Sequence, residues 1–113
     1  MSVITPKRLI TPAQLTTGAV VYYTTPVNTK TTIKKLTLTN STVNARTVTL
    51  HLVPSGGTAD ATNVLLSVLN IAAHTTIDVT EASGHTLETG STIQALADAA
   101  TAVTIQGSGF EVS

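Results

Sequence analysis

The sequence predicts an all-β fold: an antiparallel β-sandwich of jelly-roll or immunoglobulin-like type, with seven to eight short strands and an extended N-terminal arm. Three observations carry this. Between Thr31 and Val53, threonine alternates with aliphatic residues on both sides of a short polar break. Alternation at period two puts one residue set on each face of a strand, so this segment reads as two antiparallel strands around a turn. Threonine makes up 24 of the 113 residues, and a β-branched side chain, stiff at χ1, suits a pleated surface better than a helix. Turn-forming clusters recur about every 8–12 residues, the spacing of a sandwich.

Residues 1–18 differ from the rest. Pro6, Pro12 and Gly18 interrupt them and no alternation is sustained. Thr11 as N-cap, Pro12 at the first helical position and Gln14 reaching back predict at most one helical turn in an extended arm. Residues 19–113 form the sandwich. Ala19 to Thr25 is the first strand, ended by Pro26. Thr31 to Thr39 is the second, and its inward parity slips across Lys34-Lys35, which predicts a β-bulge. Asn40 to Ala45 turns. Arg46 to Val53 follows, with Val48, Leu50 and Leu52 on one face and Thr47, Thr49 and a solvated His51 on the other.

Pro54-Ser55-Gly56-Gly57-Thr58 is a loop. The apolar run Asn63 to Ile71 suits a buried strand or a short helix, and the strand is favoured. Ala72-Ala73-His74 turns into Thr75 to Thr80. Glu81 to Gly90 is a loop anchored by Leu87. Ser91 to Ala97 is read as a strand despite helical spacing of Ile93, Leu96 and Ala100. Ala102 to Gln106 pairs with it, Gly107 and Gly109 bulge, and Phe110 and Val112 close the core.

One domain of this length buries roughly 65% of its unfolded surface without staples. The chain has no cysteine, which excludes disulfides and thiolate metal sites and fits a reducing cytoplasm. No apolar region follows the basic pair Lys7-Arg8, so a signal peptide is not expected. The longest apolar runs fall far short of the ~20 residues that span a bilayer, so a soluble protein without membrane contact is expected. Charged residues are 11% of the chain, and the aromatics are Tyr22, Tyr23 and Phe110 alone. An enzyme core or a nucleic-acid platform usually holds more aromatic area.

The net charge of zero hides a polarity. All six cations (Lys7, Arg8, Lys30, Lys34, Lys35, Arg46) precede residue 47, and all six carboxylates follow residue 59. Two readings follow: interleaved strands mix the charges within one molecule, or a basic edge meets an acidic edge on a second copy. Contacts of the second kind close into rings.

The sequence holds no phosphate-binding glycine loop, no H-E-x-x-H and no nucleophile elbow. His51, His74 and His85 match no compact zinc spacing. No catalytic, cofactor-binding or metal-ligating residue is assigned, and no enzyme is expected. The cations lack interleaved aromatics, so nucleic acid is not an expected partner. Tyr22 and Tyr23 are adjacent on a strand and point to opposite faces, one to the core and one to an interface.

Five segments together carry a resemblance to a known group. They are Ile10–Thr17, Tyr22–Asn40 (Y-Y-T-T-P-V-N-T-K-T-T-I-K-K-L-T-L-T-N), Val48–Ala59 (V-T-L-H-L-V-P-S-G-G-T-A), Glu81–Gly90 and Thr92–Ala95. Together they resemble small β-sandwich virion structural proteins of tailed bacteriophages, of the capsid decoration or cement type. The resemblance implies a repetitive binding protein of the virion, assembled in the host cytoplasm, that binds the major capsid protein and itself as a homo-oligomer, with a trimer favoured. A tail, collar or fibre component contacting the host surface is the alternative, and a carbohydrate-binding module is a third. The candidate interface comprises Pro6, Lys7, Arg8, Pro12 and Leu15 of the arm, with Tyr22, Lys34, Lys35 and Arg46. On this reading, deleting residues 1–17 abolishes capsid binding and leaves the fold intact.

Overall fold

Alternating threonine and aliphatic residues cannot bury one face alone, so strands of this pattern pair into sheets and the sheets stack. In this chain they form nine strands: β1 (Ile4–Gln14), β2 (Val20–Thr24), β3 (Lys30–Asn40), β4 (Arg46–Val53), β5 (Val64–Ile71), β6 (Thr75–Asp78), β7 (Thr86–Leu87), β8 (Thr92–Ala97) and β9 (Val103–Val112). The structure is a computed structural model that describes residues 3–113. All pairings are antiparallel. One sheet runs β1-β9-β3-β6, with β7 beside β6 on the same margin of β3. The other runs β2-β8-β4-β5. The chain crosses between sheets at nearly every connection, and the pairs β1:β9, β2:β8, β3:β6 and β4:β5 wrap as one folded ribbon. That is the jelly roll, so of the two expected sandwich types the jelly roll is the one formed.

The core lies between the sheets. Ile10, Ile33, Leu36, Leu38, Leu50, Ile93 and Ile105 are each at most 1% exposed. Burying side chains of this size contributes roughly 1.5–3 kcal/mol apiece before entropy is counted. The molecule measures 49 × 25 × 19 Å.

Five expectations are corrected. Ala102–Gln106 does not pair with Ser91–Ala97: from Val103 on it belongs to β9, in the sheet opposite β8. The Thr31–Val53 segment is not a hairpin: β3 and β4 belong to different sheets. Asn40, fully buried at the end of β3, makes the crossover. Its Nδ2 lies within bonding reach of Asn44, Ile71 and Ala72 carbonyls at 2.8–3.2 Å, and its Oδ1 accepts from Thr42 N and Oγ1. Within the expected arm, the described residues 3–18 form no helical turn, and the segment packs down on its own domain. Ile4–Gln14 is an 11-residue edge strand on β9, and Leu9, Ile10 and Leu15 enter the core. Its prolines are tolerated because an edge strand needs no ladder donor on its open side, and Pro12 falls within the register shift between Ile10 and Ala13. Phe110 and Val112 are half-buried rather than closing the core. Finally, His51 does lie opposite Val48, Leu50 and Leu52, but it is buried beside Asn63 rather than solvated. It is 7% exposed, and its Nδ1 sits 2.8 Å from Asn63 Oδ1.

The parity slip across Lys34-Lys35 is a bulge, as the sequence predicts. Its freed backbone groups are satisfied by the segment between β6 and β7. Gly84 N donates to Ile33 O, Ile33 N to His85 O, Val79 N to Leu36 O, and Ser83 Oγ to Lys34 O. Leu87 is buried and anchors that segment.

Candidate functional site: a cationic cradle over Ser108

Gly107-Ser108-Gly109 runs along the middle of β9, between β1 and β3. Both glycines face the core. A Cβ on Gly109 would collide with the Thr32 carbonyl oxygen, and one on Gly107 would come within 3.4 Å of Lys35 O. The missing side chains let the flanking strands approach, and each of those strands carries an extra residue at this point. On β1, Arg8 pairs with Ser108 and Ile10 with Gly107, so Leu9 is extra. On β3, Ile33 pairs with Gly109 and Lys35 with Ser108, so Lys34 is extra. Two bulges therefore oppose one serine. Bulges re-aim side chains. Here they turn Leu9 and Ile10 both inward and leave Arg8 and Lys35 exposed on the outer face, one on each side of Ser108.

Two inter-strand steps place the Arg8 and Lys35 Cα atoms roughly 10 Å apart, a span both long side chains can close. Between them lies an open cavity of about 200 Å³ lined by Arg8, Lys35, Thr37, Gln106 and Ser108, with Gly107 and Ile10 at its floor. Guanidinium, ammonium, hydroxyl and amide donors converge there. The arrangement suits an anion with several oxygens, such as a carboxylate.

The ion pairs show where the other charges go. Lys7 pairs with Glu111 (3.4 Å), Lys30 with Glu88 (3.7 Å) and Arg46 with Asp98 (4.0 Å). Each joins a first-half cation to a second-half carboxylate within one molecule, so interleaved strands mix half of the charge. Among the described residues, Arg8, Lys34 and Lys35 have no carboxylate within 4.0 Å, and neither Asp78 nor Glu81 has a cation. Asp60 is held by Thr62 N and Oγ1, and those hydrogen bonds keep its carboxyl below the usual range.

Of the expected interface residues, the structure gathers Pro6, Arg8, Lys34 and Lys35 on the outer side of one sheet, with Lys7 and Pro12 exposed along the same strand. Three do not belong there. Leu15 is fully buried and is a core residue. Tyr22 is half-buried against the core, with its hydroxyl 3.4 Å from Gln14 O. Arg46 is half-buried beside Asp98 in the other sheet. Sequence reasoning missed Ser108, Gln106 and Thr37, because it placed the glycine bulge on β9 rather than on the neighbours of β9.

A second cavity of about 240 Å³, between Leu52, Val53, Leu87 and Glu88, opens at the end of the sandwich where the termini lie. Among the described residues, no group of three or more His, Cys, Asp or Glu is placed to hold a metal ion, and no helix is long and apolar enough to cross a membrane.

The class these features define is a jelly-roll sandwich with a polar, cation-bearing outer face. In sequence, the chain matches no described protein family and no curated protein. In structure, it is similar to a chain from the Bacillus endospore appendages, a family of disulfide-linked pili: TM-score 0.53, 13% identity, covering 99% of this chain and 88% of that one. It is also similar to a chain in the structure of infectious bursal disease virus, Gx strain (TM-score 0.49, 12% identity, 99% of this chain and 32% of that one), and to a chain of the VP2 subviral particle of that virus (0.46, 12%, 98% and 32%). The chain spans about a third of the length of those viral proteins. At 13% identity the likeness to the appendage chain shows the fold alone.

Proposed function

We propose that this chain is a structural protein of a phage virion: a non-enzymatic decoration protein that binds the major capsid protein and stabilises the head. The observation that carries the reading is the outer face of the β1-β9-β3-β6 sheet. It presents exposed cations and short hydroxyl side chains on one sheet, which supports the reading of a contact surface. Jelly rolls recur in capsid and lectin domains, although the fold alone assigns no role. The low overall charge and the resemblance across Tyr22–Asn40 and Val48–Ala59 support the same reading. Each contact can be weak, because many copies act at once on a repetitive shell.

Co-sedimentation of the purified protein with undecorated heads and with isolated tails tests this. Saturable binding to heads supports decoration. Binding confined to tails contradicts it and favours the tail, collar or fibre reading.

A further inference from the structure

We propose that the Arg8–Lys35 cradle binds one acidic sugar residue, a pyranose ring carrying a carboxylate, of the kind that repeats along acidic polysaccharides. This goes beyond the decoration role and does not depend on it.

Strand pairing sets Arg8, Ser108 and Lys35 abreast on β1, β9 and β3. The next row on the outer face holds Gln106, Thr37 and Asp78, on β9, β3 and β6. Asp78 points the same way as Thr76, which bonds Thr39 across the outer face, while Ile77 between them packs against the core. Lys35 and Asp78 are therefore diagonal neighbours, roughly 7–8 Å apart across the strand pair. Lys34 is exposed beside Lys35, and Glu81 lies in the segment bonded along Ile33–Leu36. Two carboxylates near three cations leave little net charge to hold a bare anion. Lys35 and Asp78 nonetheless form no ion pair within 4.0 Å, so both keep their bonding capacity for a ligand. The hydroxyls further out are already paired, Thr32 with Thr86 and Thr39 with Thr76. Those of Thr37 and Ser108, between them, line the cavity.

The cradle thus offers cations on one side, two hydroxyls and an amide in the middle, and a carboxylate beyond. A ligand that meets all of them carries a carboxylate for Arg8 and Lys35, and ring hydroxyls for Ser108, Thr37 and Gln106. Arginine engages a carboxylate through two parallel hydrogen bonds. An ionised carboxylate only accepts, so Asp78 repels a second anion but takes a hydrogen bond from a neutral hydroxyl. A sulfate or an acidic side chain has no donor for it. A hexuronate ring has both the carboxylate and the hydroxyls. Apolar surface is present too. Ile10 and Gly107 floor the cavity, and Phe110 with Pro6 forms the next row beyond Ser108. Ligand sites combine such apolar surface with a few placed polar groups. An enclosed cavity of about 150 Å³ takes one six-membered ring such as benzene. The open cavity of about 200 Å³ here takes one sugar ring and leaves its linkages in solvent. One ring makes a weak site, with Kd on the order of 1 mM. A repeating polymer that meets many copies at once gains by avidity.

Protein-observed NMR titration of the full chain with glucuronate tests the proposal. Backbone amides of Arg8, Lys35, Gln106 and Ser108 should shift saturably. Acetate, which has only the carboxylate, and glucose, which has only the hydroxyls, should each bind roughly tenfold more weakly or worse. Arg8→Ala should weaken glucuronate binding by roughly tenfold or more, since a charge-assisted pair is lost. Asp78→Ala should reduce the preference for glucuronate over acetate, because it removes the acceptor and leaves the cations. Both positions are exposed, so the variants should keep the dispersed spectrum of the folded chain. Acetate binding as tight as glucuronate, no saturable shift, or shifts that persist in Arg8→Ala overturn the proposal. If glucuronate does not bind and R8A/K35A no longer co-sediments with heads, the cradle serves the capsid protein: the sugar assignment is wrong and the decoration role stands. If glucuronate binds as expected while the chain binds no heads, the sugar site stands and the decoration role falls.

Discussion

The Tyr23 hydroxyl donates a hydrogen bond to Glu111 Oε2 at 2.5 Å, and this contact joins the two sheets. Tyr23 is on β2 of one sheet and Glu111 on β9 of the other. Thr31 Oγ1 lies 2.8 Å from the same hydroxyl, and Lys7 Nζ lies 3.4 Å from the other Glu111 oxygen. One cluster thus ties β1, β2, β3 and β9 together near the termini, where Val3 and Ser113 also exchange backbone hydrogen bonds. Burial, and then the adjacent carboxylate, push the Tyr23 phenol up to about 12.

A raised tyrosine pKa predicts alkaline destabilisation. Below pH 10 the phenol is protonated in both the folded and unfolded chain, and its contribution is complete. Between about pH 10 and 12 the unfolded chain releases the proton while the folded one keeps it, so stability falls by up to about 1.4 kcal/mol per pH unit. Urea unfolding across that range should show the fall. Tyr23→Phe should shrink it and cost about 1–2 kcal/mol at neutral pH, since a hydrogen bond to a charged acceptor is lost. An unchanged alkaline slope in that variant would remove Tyr23 as the cause.

Gly109 should tolerate no side chain. The Thr32 carbonyl and Leu9 Cδ1 occupy the space a Cβ needs, and the carbonyl is backbone that cannot swing away. Gly109→Ala should cost about 3 kcal/mol or more by overpacking, with Gly18→Ala as the control at about 0.5 kcal/mol or less, because nothing lies within 4 Å of Gly18. Thermal unfolding of the pair measures the contrast.

Val68 stores strain. It sits at the register shift of β5 with φ of 52°, a left-handed conformation that a β-branched residue rarely adopts, and it is 62% exposed. Val68→Gly should therefore stabilise the fold by about 1 kcal/mol, against the usual trend for glycine in a strand. Equilibrium unfolding would expose a destabilised variant and contradict this account of the bulge.

Removal of residues 1–17 should prevent folding. The deletion strips Leu9, Ile10 and Leu15 from the core and leaves β9 as a bare edge. Leu15→Ala alone should cost about 2–5 kcal/mol. A truncated chain with a cooperative melt and native circular dichroism would show that β1 is dispensable.

Much of this fold is legible in the sequence, for reasons that single residues illustrate. Val48, Leu50 and Leu52 alternate and face the core as period two requires. The bulge at Lys34 is written in a parity slip. What alternation does not encode is the partner. The Thr31–Val53 segment reads the same whether β3 and β4 pair or stack, and the buried Asn40 decides for the crossover through contacts 31 and 32 residues away. β1 was hidden because Pro6 and Pro12 look like breakers until an edge position makes them harmless. The cradle was half visible: Lys34 and Lys35 stood out, but Arg8 joins them only through β9, a pairing across about a hundred residues.

The decoration role itself is tested most directly by reconstructing undecorated phage heads after incubation with this protein. The account predicts ordered, stoichiometric density on the outer shell that follows the capsid symmetry and fits the 49 × 25 × 19 Å sandwich. Bare shells at saturating protein, or density only on tails, would contradict it.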